Sequence, residues 1–182
     1  MTPAPPRIAP LATAPAGLEE IYARLDEQNG GVHNLFATLA HHPWLLRRTL
    51  SLASLFLTYG MLPARVRELA ILRAAWRAGS VYEFGQHTVL GEAAGLTAPE
   101  VAALTKAPDE GGWNDTDGDL IAMVDQLCDG DDLDEHTWSR LAARWSEAEL
   151  IEWVMLVGYY RMVAGVLNGL RIQPEPGAPG WP

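Results

Sequence analysis

The chain has 182 residues, 48% of them hydrophobic, with a formal net charge of −10 and a pI near 4.8. That length buries one substantial core, and the acidic balance argues against nucleic acid, whose phosphates it would repel. The single cysteine, Cys128, excludes an internal disulfide, a zinc–thiolate cluster and a dithiol redox pair.

Residues 1–15 hold five prolines and predict an extended arm. The opening M-T-P-A-P-P-R has no basic segment followed by an apolar run, so the expectation is a cytoplasmic protein without a secretory signal. One domain is expected over 16–172, followed by a proline- and glycine-rich tail over 173–182 that is unstructured or dependent on a partner. A first amphipathic helix is predicted from Leu18 to Gln28, stopped by Asn29-Gly30-Gly31, and a short one around His33 to Ala40. Pro43 and Pro63 each suit the first position of a helix, the former running to Tyr59 and the latter carrying Glu68 to Ala78-Gly79. The next helix runs from Ser80 to Ala94 and ends at Gly95.

Thr97-Ala-Pro-Glu100 and Ser146-Glu-Ala-Glu149 both have the form of a capping box opening a helix. Between them lie a polar loop over Pro108 to Gly112 and helices over Asp117 to Leu127 and Glu135 to Arg144. The last helix reaches Leu170. Its apolar stretch from Trp153 is broken by Arg161, Asn168 and three glycines, which favours a buried helix over a membrane span. No stretch alternates with period two for the length of a strand, so the fold class is all-α. A shift of 81 residues places Arg67-Glu68-Leu69 over Ala148-Glu149-Leu150, which suggests a degenerate internal repeat.

The chemistry gathers between Glu68 and His87. Glu83 and His87 are four residues apart, on one face of a helix, where a carboxylate can orient the imidazole. The helix N-terminus is expected to lower the pKa of Glu83, which suits a base or an orienting group. Ser80-Val-Tyr-Glu83 is equally a capping-box pattern, and a Glu/His pair at this spacing is often only a surface ion pair. Arg65, Arg67, Arg73 and Arg77 form either a solvated face or a source of one substrate-binding guanidinium. His33, His41, His42 and His136 lack the spacing of metal ligands, and no cofactor motif is present, so neither metal nor cofactor is expected. Trp153, Tyr159 and Tyr160 read as packing. Cys128, beside Asp129, has no basic neighbour to activate it and reads as inert.

The run L-P-A-R-V-R-E-L-A-I-L-R-A-A-W-R-A-G-S-V-Y-E-F-G-Q-H, continuing to Leu104, resembles the carboxymuconolactone decarboxylase family, within the alkylhydroperoxidase D-like superfamily. The resemblance implies an all-α fold built on a helical hairpin, assembled as a homotrimer or homohexamer with sites near subunit interfaces. The peroxidase branch of the superfamily pairs a glutamate with C-x-x-C-x-x-x-H. Glu68 and His87 match its glutamate and histidine, but Ser80 and Glu83 stand where its cysteines would be. Dithiol peroxidase activity is therefore not expected. The resemblance implies instead a cofactor-free lyase acting on a small, anionic carboxylated lactone or enolisable keto acid. Its catalytic residues would be His87 as proton donor, Glu83 orienting it, and Glu68 relaying a proton or positioning substrate. Ser80, Tyr82 and Gln86 are weaker candidates for substrate binding. Decarboxylation, isomerisation, dehydration and retro-aldol cleavage all remain open to such a site, as does a non-catalytic helical oligomer with a degenerate peroxidase-like site.

Overall fold

The computed structural model describes residues 4–182. Residues 1–3 of the predicted arm lie outside them. Nine α-helices and no strands are found among the described residues: α1 (Glu19–Asn29), α2 (Asn34–Leu39), α3 (Pro43–Ser54), α4 (Ala64–Arg77), α5 (Val81–Ala93), α6 (Ala98–Ala103), α7 (Asp115–Gly130), α8 (Glu135–Ala142) and α9 (Glu147–Leu170). Helix α3 runs on as a π-helical turn over Leu55–Tyr59, and the loop before α7 contains a 3₁₀ turn over Pro108–Glu110. The fold is all-α, as the missing period-two pattern predicts.

The innermost element is α4, not the helix that follows it. Every residue from Glu68 to Ala75 is buried, because α5, α7 and α9 pack around it on different sides. Three alanines, Ala70, Ala74 and Ala75, let those neighbours approach closely. Pro63 is the N-cap residue rather than the first residue of α4: its backbone is extended (ψ 134°), and helical geometry begins at Ala64. The α4–α5 hairpin turns at Gly79, whose φ of 62° favours a residue without a side chain. On α5, a Cβ at Gly91 would press on Leu96, Leu72 and Glu68, so the missing side chain sets how closely the hairpin closes.

Both predicted capping boxes at Thr97 and Ser146 form, with reciprocal bonds to Glu100 and Glu149. Helices α1 to α3 enclose a smaller apolar cluster around Leu18, Tyr22 and Leu46. The arm lies along this part of the fold: Arg7 N–H donates to the Leu170 carbonyl, and Leu11 N–H to that of Ala37. Helix α9 is long and apolar enough, by length and composition, to cross a membrane, and 50% of that apolar window is buried inside the fold. After α9 the chain turns through Arg171 in the left-handed region (φ 54°) and enters the tail. A second hairpin helix equivalent to α5 therefore has no counterpart after α9.

Candidate active site

Glu68 projects from the middle of α4 and His87 from α5, 19 residues on, and their side chains meet inside the hairpin. His87 Nδ1 lies 2.7 Å from Glu68 Oε2, and the two residues are 7% and 1% exposed. The other Glu68 oxygen accepts from Arg67 Nε at 3.1 Å. Burial by itself pushes the Glu68 carboxyl up, but the hydrogen bond and charge of His87, joined by Arg67, outweigh it and hold the carboxyl below its ordinary value. A carboxylate facing Nδ1 fixes the neutral ring with its proton there, leaving Nε2 as the free nitrogen. Tyr160 of α9 packs edge-on against the imidazole, its ring centre 4.8 Å away.

Glu83 behaves quite differently from the expectation. Its main-chain N–H donates to Ser80 Oγ at 3.4 Å, so half of the capping box exists. Its carboxyl does not return to the cap and does not orient His87. Both oxygens are buried without a hydrogen-bond partner among the described residues. Burial pushes this carboxyl well above the ordinary range, the opposite of the shift expected from the helix dipole. The dipole is worth only about 0.3–2 kcal/mol, whereas removing a carboxylate from water without a partner costs several. Burial without a partner therefore favours the protonated form of Glu83, which can donate a hydrogen bond.

Glu83 and His87 share a cavity of about 170 Å³ between α5, α9 and the segment from α1 to the π turn, lined also by His33, Leu57, Tyr159 and Tyr160 among others, while Glu68 lies behind His87 and does not line it. Three depressions larger than this, of about 910, 600 and 340 Å³, are open grooves that hold none of Glu68, Glu83 or His87. Tyr82 and Gln86 line the small cavity; Ser80 does not, because it is spent as the α5 cap. The phenols of Tyr159 and Tyr160 are both raised, first by burial and then by nearby carboxylates, Tyr159 to about 12, so both remain hydrogen donors. Their place on the cavity wall corrects the reading of these tyrosines as packing alone. Two hydroxyls on the buried face of an apolar helix were the available signal.

The arginines also depart from both readings. Arg65 bonds Asp117 and Glu100, Arg73 is bidentate to Asp125 and also donates to the Leu104 and Lys106 carbonyls, and Arg77 pairs with Asp125 and Asp129. Each is consumed in tying α4 to α6 or α7, and no arginine or lysine lines the cavity. Among the described residues no three His, Cys, Asp or Glu side chains converge as a metal site. Burial raises the Cys128 thiol, so little thiolate is available there.

The carboxymuconolactone decarboxylase family model matches residues 45–115, from α3 through the hairpin to the start of α7. The match covers Glu68, Glu83 and His87, while Tyr159, Tyr160 and the tail lie beyond it. Among solved structures, a peroxidase-related protein from Silicibacter sp. TM1040 superposes with a TM-score of 0.84 at 11% identity, covering 98% of this chain and 96% of that one. The alkylhydroperoxidase AhpD core of Ralstonia eutropha JMP134, also peroxidase-related, gives 0.80 at 14% identity, covering 95% of each chain. The debrominase Bmp8, in complex with 2,3,4-tribromopyrrole, gives 0.75 at 16% identity, covering 93% of this chain and 91% of its own. At these identities the likeness is one of fold. No curated protein matches the sequence.

Proposed function

We propose that the chain is a cofactor-independent acid/base enzyme, a lyase of the carboxy-lyase type, acting as a homotrimer or homohexamer on a small carboxylated lactone or enolisable keto acid. One observation carries the reading: the cavity sets the buried, unpartnered carboxyl of Glu83 beside a histidine whose ring is backed by Glu68. Two carboxyls driven in opposite directions by their surroundings are the mark of divided acid and base roles. A merely structural helix would not retain an unpartnered buried carboxyl, which costs stability without return. That disfavours the non-catalytic alternative.

The roles follow from the contacts. In decarboxylation the bond to the substrate carboxylate breaks, carbon dioxide leaves, and the bonding pair enters an enolate. Glu83, protonated, donates a hydrogen bond to the enolate oxygen. His87, once Nε2 has taken a proton from water to form the imidazolium, gives that proton to the carbon and returns to the neutral ring, while Glu68 offsets the imidazolium charge and holds the ring. In isomerisation or dehydration the same Nε2 first removes a proton. The cavity of about 170 Å³ falls below the roughly 300–1,000 Å³ usual for larger ligands, which favours a compact substrate. That Bmp8 holds a single small ring supports a catalytic use of this fold on molecules of similar size.

Self-association is supported by a stripe along α9 of Ile151, Met155, Gly158, Met162, Gly165 and Gly169, spaced at helical intervals and exposed throughout. A Cβ on any of these three glycines would meet nothing within 4 Å in its own chain, so intrachain packing does not account for them. Close approach of a second helix would.

The test is carbon dioxide release from 4-carboxymuconolactone and a panel of β-keto acids by wild type and His87→Ala. Turnover is expected to fall by roughly 10²-fold or more in the variant, with its helical circular dichroism intact. Equal turnover in both proteins would remove His87 from the chemistry.

A further inference from the structure

The tail is not free. Tyr82 Oη donates to Glu175 Oε1 at 2.7 Å, Gln86 Nε2 donates to Oε2 at 2.6 Å, and the Asn34 main-chain N–H donates to Oε1 at 2.7 Å. Leu35 N–H approaches the Tyr82 oxygen at 3.4 Å, an arrangement that leaves the phenol's own proton for Glu175. Burial and the Glu175 carboxylate together raise the Tyr82 phenol, so it stays a donor. None of the ion pairs among the described residues involves Glu175. A carboxylate is thus held by three converging neutral donors, two of which line the cavity with Glu83 and His87.

The geometry points to a carboxylate-binding subsite formed by Tyr82 and Gln86, which the chain's own Glu175 occupies in the absence of substrate. This rests on the cavity being the substrate site proposed above. A substrate carboxylate would need such donors, because no cation lines the cavity and the net charge of −10 opposes anions at long range. Tyr82 and Gln86 are i,i+4 on α5, and Glu83 and His87 are also i,i+4, one residue on around the same helix. A compact acid seated at the first pair therefore presents its adjoining carbons to the second. Glu175 acts as a tethered competitor.

The tail is also latched by contacts that do not touch the subsite. Trp181 packs on Trp76 and Phe84, with ring centres 5.0 and 4.9 Å away. Gly85, in the middle of α5, lies against Pro179: a Cβ there would overlap the Pro179 carbonyl oxygen. A glycine in a helix interior is otherwise unfavourable, and here it makes room for the tail.

Propionate, with propionamide as the uncharged control, tests the inference by calorimetric titration of wild type, Glu175→Ala and Gly85→Ala. Gly85→Ala unseats the tail by overlap while sparing Glu175, Tyr82 and Gln86. If the tail is docked in about nine of ten molecules, freeing it strengthens apparent affinity roughly tenfold. Both variants are expected to bind propionate more tightly by about that factor, and propionamide not at all. Propionate should also shift the Trp181 indole N–H resonance of the wild type. Affinity unchanged or weakened in either folded variant, or propionamide binding equal to propionate, would overturn the subsite. His87→Ala should keep propionate binding while losing turnover. Intact turnover there with tighter binding in the tail variants would defeat the acid/base assignment and leave the subsite standing.

Discussion

Glu68, Glu83 and His87 are close in sequence, yet their surroundings divide them. Spacing alone pairs Glu83 with His87, because i,i+4 neighbours share a helix face. The fold pairs His87 with Glu68 instead, and leaves the Glu83 carboxyl buried without a partner among the described residues. The two carboxyls then respond to pH with opposite signs. For Glu68, held below its ordinary value, the stabilisation is present above the unfolded carboxylate range and is lost as pH falls through its folded pKa. Glu68→Gln is therefore expected to lose about 3 kcal/mol at neutral pH, the scale of breaking a buried pair, with the deficit shrinking in acid. For Glu83, raised by burial, stability is full below the unfolded pKa and is lost as pH rises through the folded one. Glu83→Gln should consequently gain on the wild type as pH rises. Thermal unfolding of both variants across an acid-to-alkaline series checks each sign, and a pH-independent gap for Glu83→Gln would mean the carboxyl ionises freely.

At the scale of elements, the arginines of α4 act as ties. Arg73 is 3% exposed and holds Asp125 of α7 at 2.7 and 2.8 Å, together with two carbonyls beyond α6. Removing it leaves the Leu104 and Lys106 carbonyls without this donor and Asp125 with Arg77 alone, so Arg73→Ala is expected to cost about 3 kcal/mol in urea unfolding. Arg65, at 31% side-chain exposure, bonds Glu100 and the buried Asp117, which keeps its bond from Asn114 when the guanidinium is removed, so Arg65→Ala should cost about 1 kcal/mol. Similar losses for the two would contradict the burial argument. Helix ends were legible because caps are local: the boxes at Thr97 and Ser146 involve residues three apart and need no tertiary partner. The pattern at Ser80 was identical and yet half formed, since the Glu83 carboxyl is buried against the cavity instead of returning to the cap.

For the whole molecule, the unpartnered stripe of α9 and the docked tail are the features that local reading least anticipates. Met162 is 54% exposed in the middle of that stripe. Met162→Glu is expected to shift sedimentation from an oligomer to the monomer mass, because a charge buried at a close helix contact has no counter-ion. An unchanged oligomer would place the interface elsewhere, and a monomeric wild type would remove the proposed assembly. The proline and glycine content of the tail correctly denies it a helix, but content says nothing of where Glu175 and Trp181 come to rest.

By itself the sequence determined the helical class and the boundaries of most helices, and it pointed to Glu68, Glu83 and His87. These are local or short-range properties: hydrophobic period, caps, and chemistry gathered within twenty residues of chain. The absence of a cysteine pair likewise settled which redox route is closed. Only the tertiary structure decided which carboxyl is partnered, which tyrosines face the cavity, which arginines are occupied and where the tail lies. Those depend on desolvation and on partners as far as 141 residues apart, as for Asn34 and Glu175, and burial at that range has no signature in local spacing.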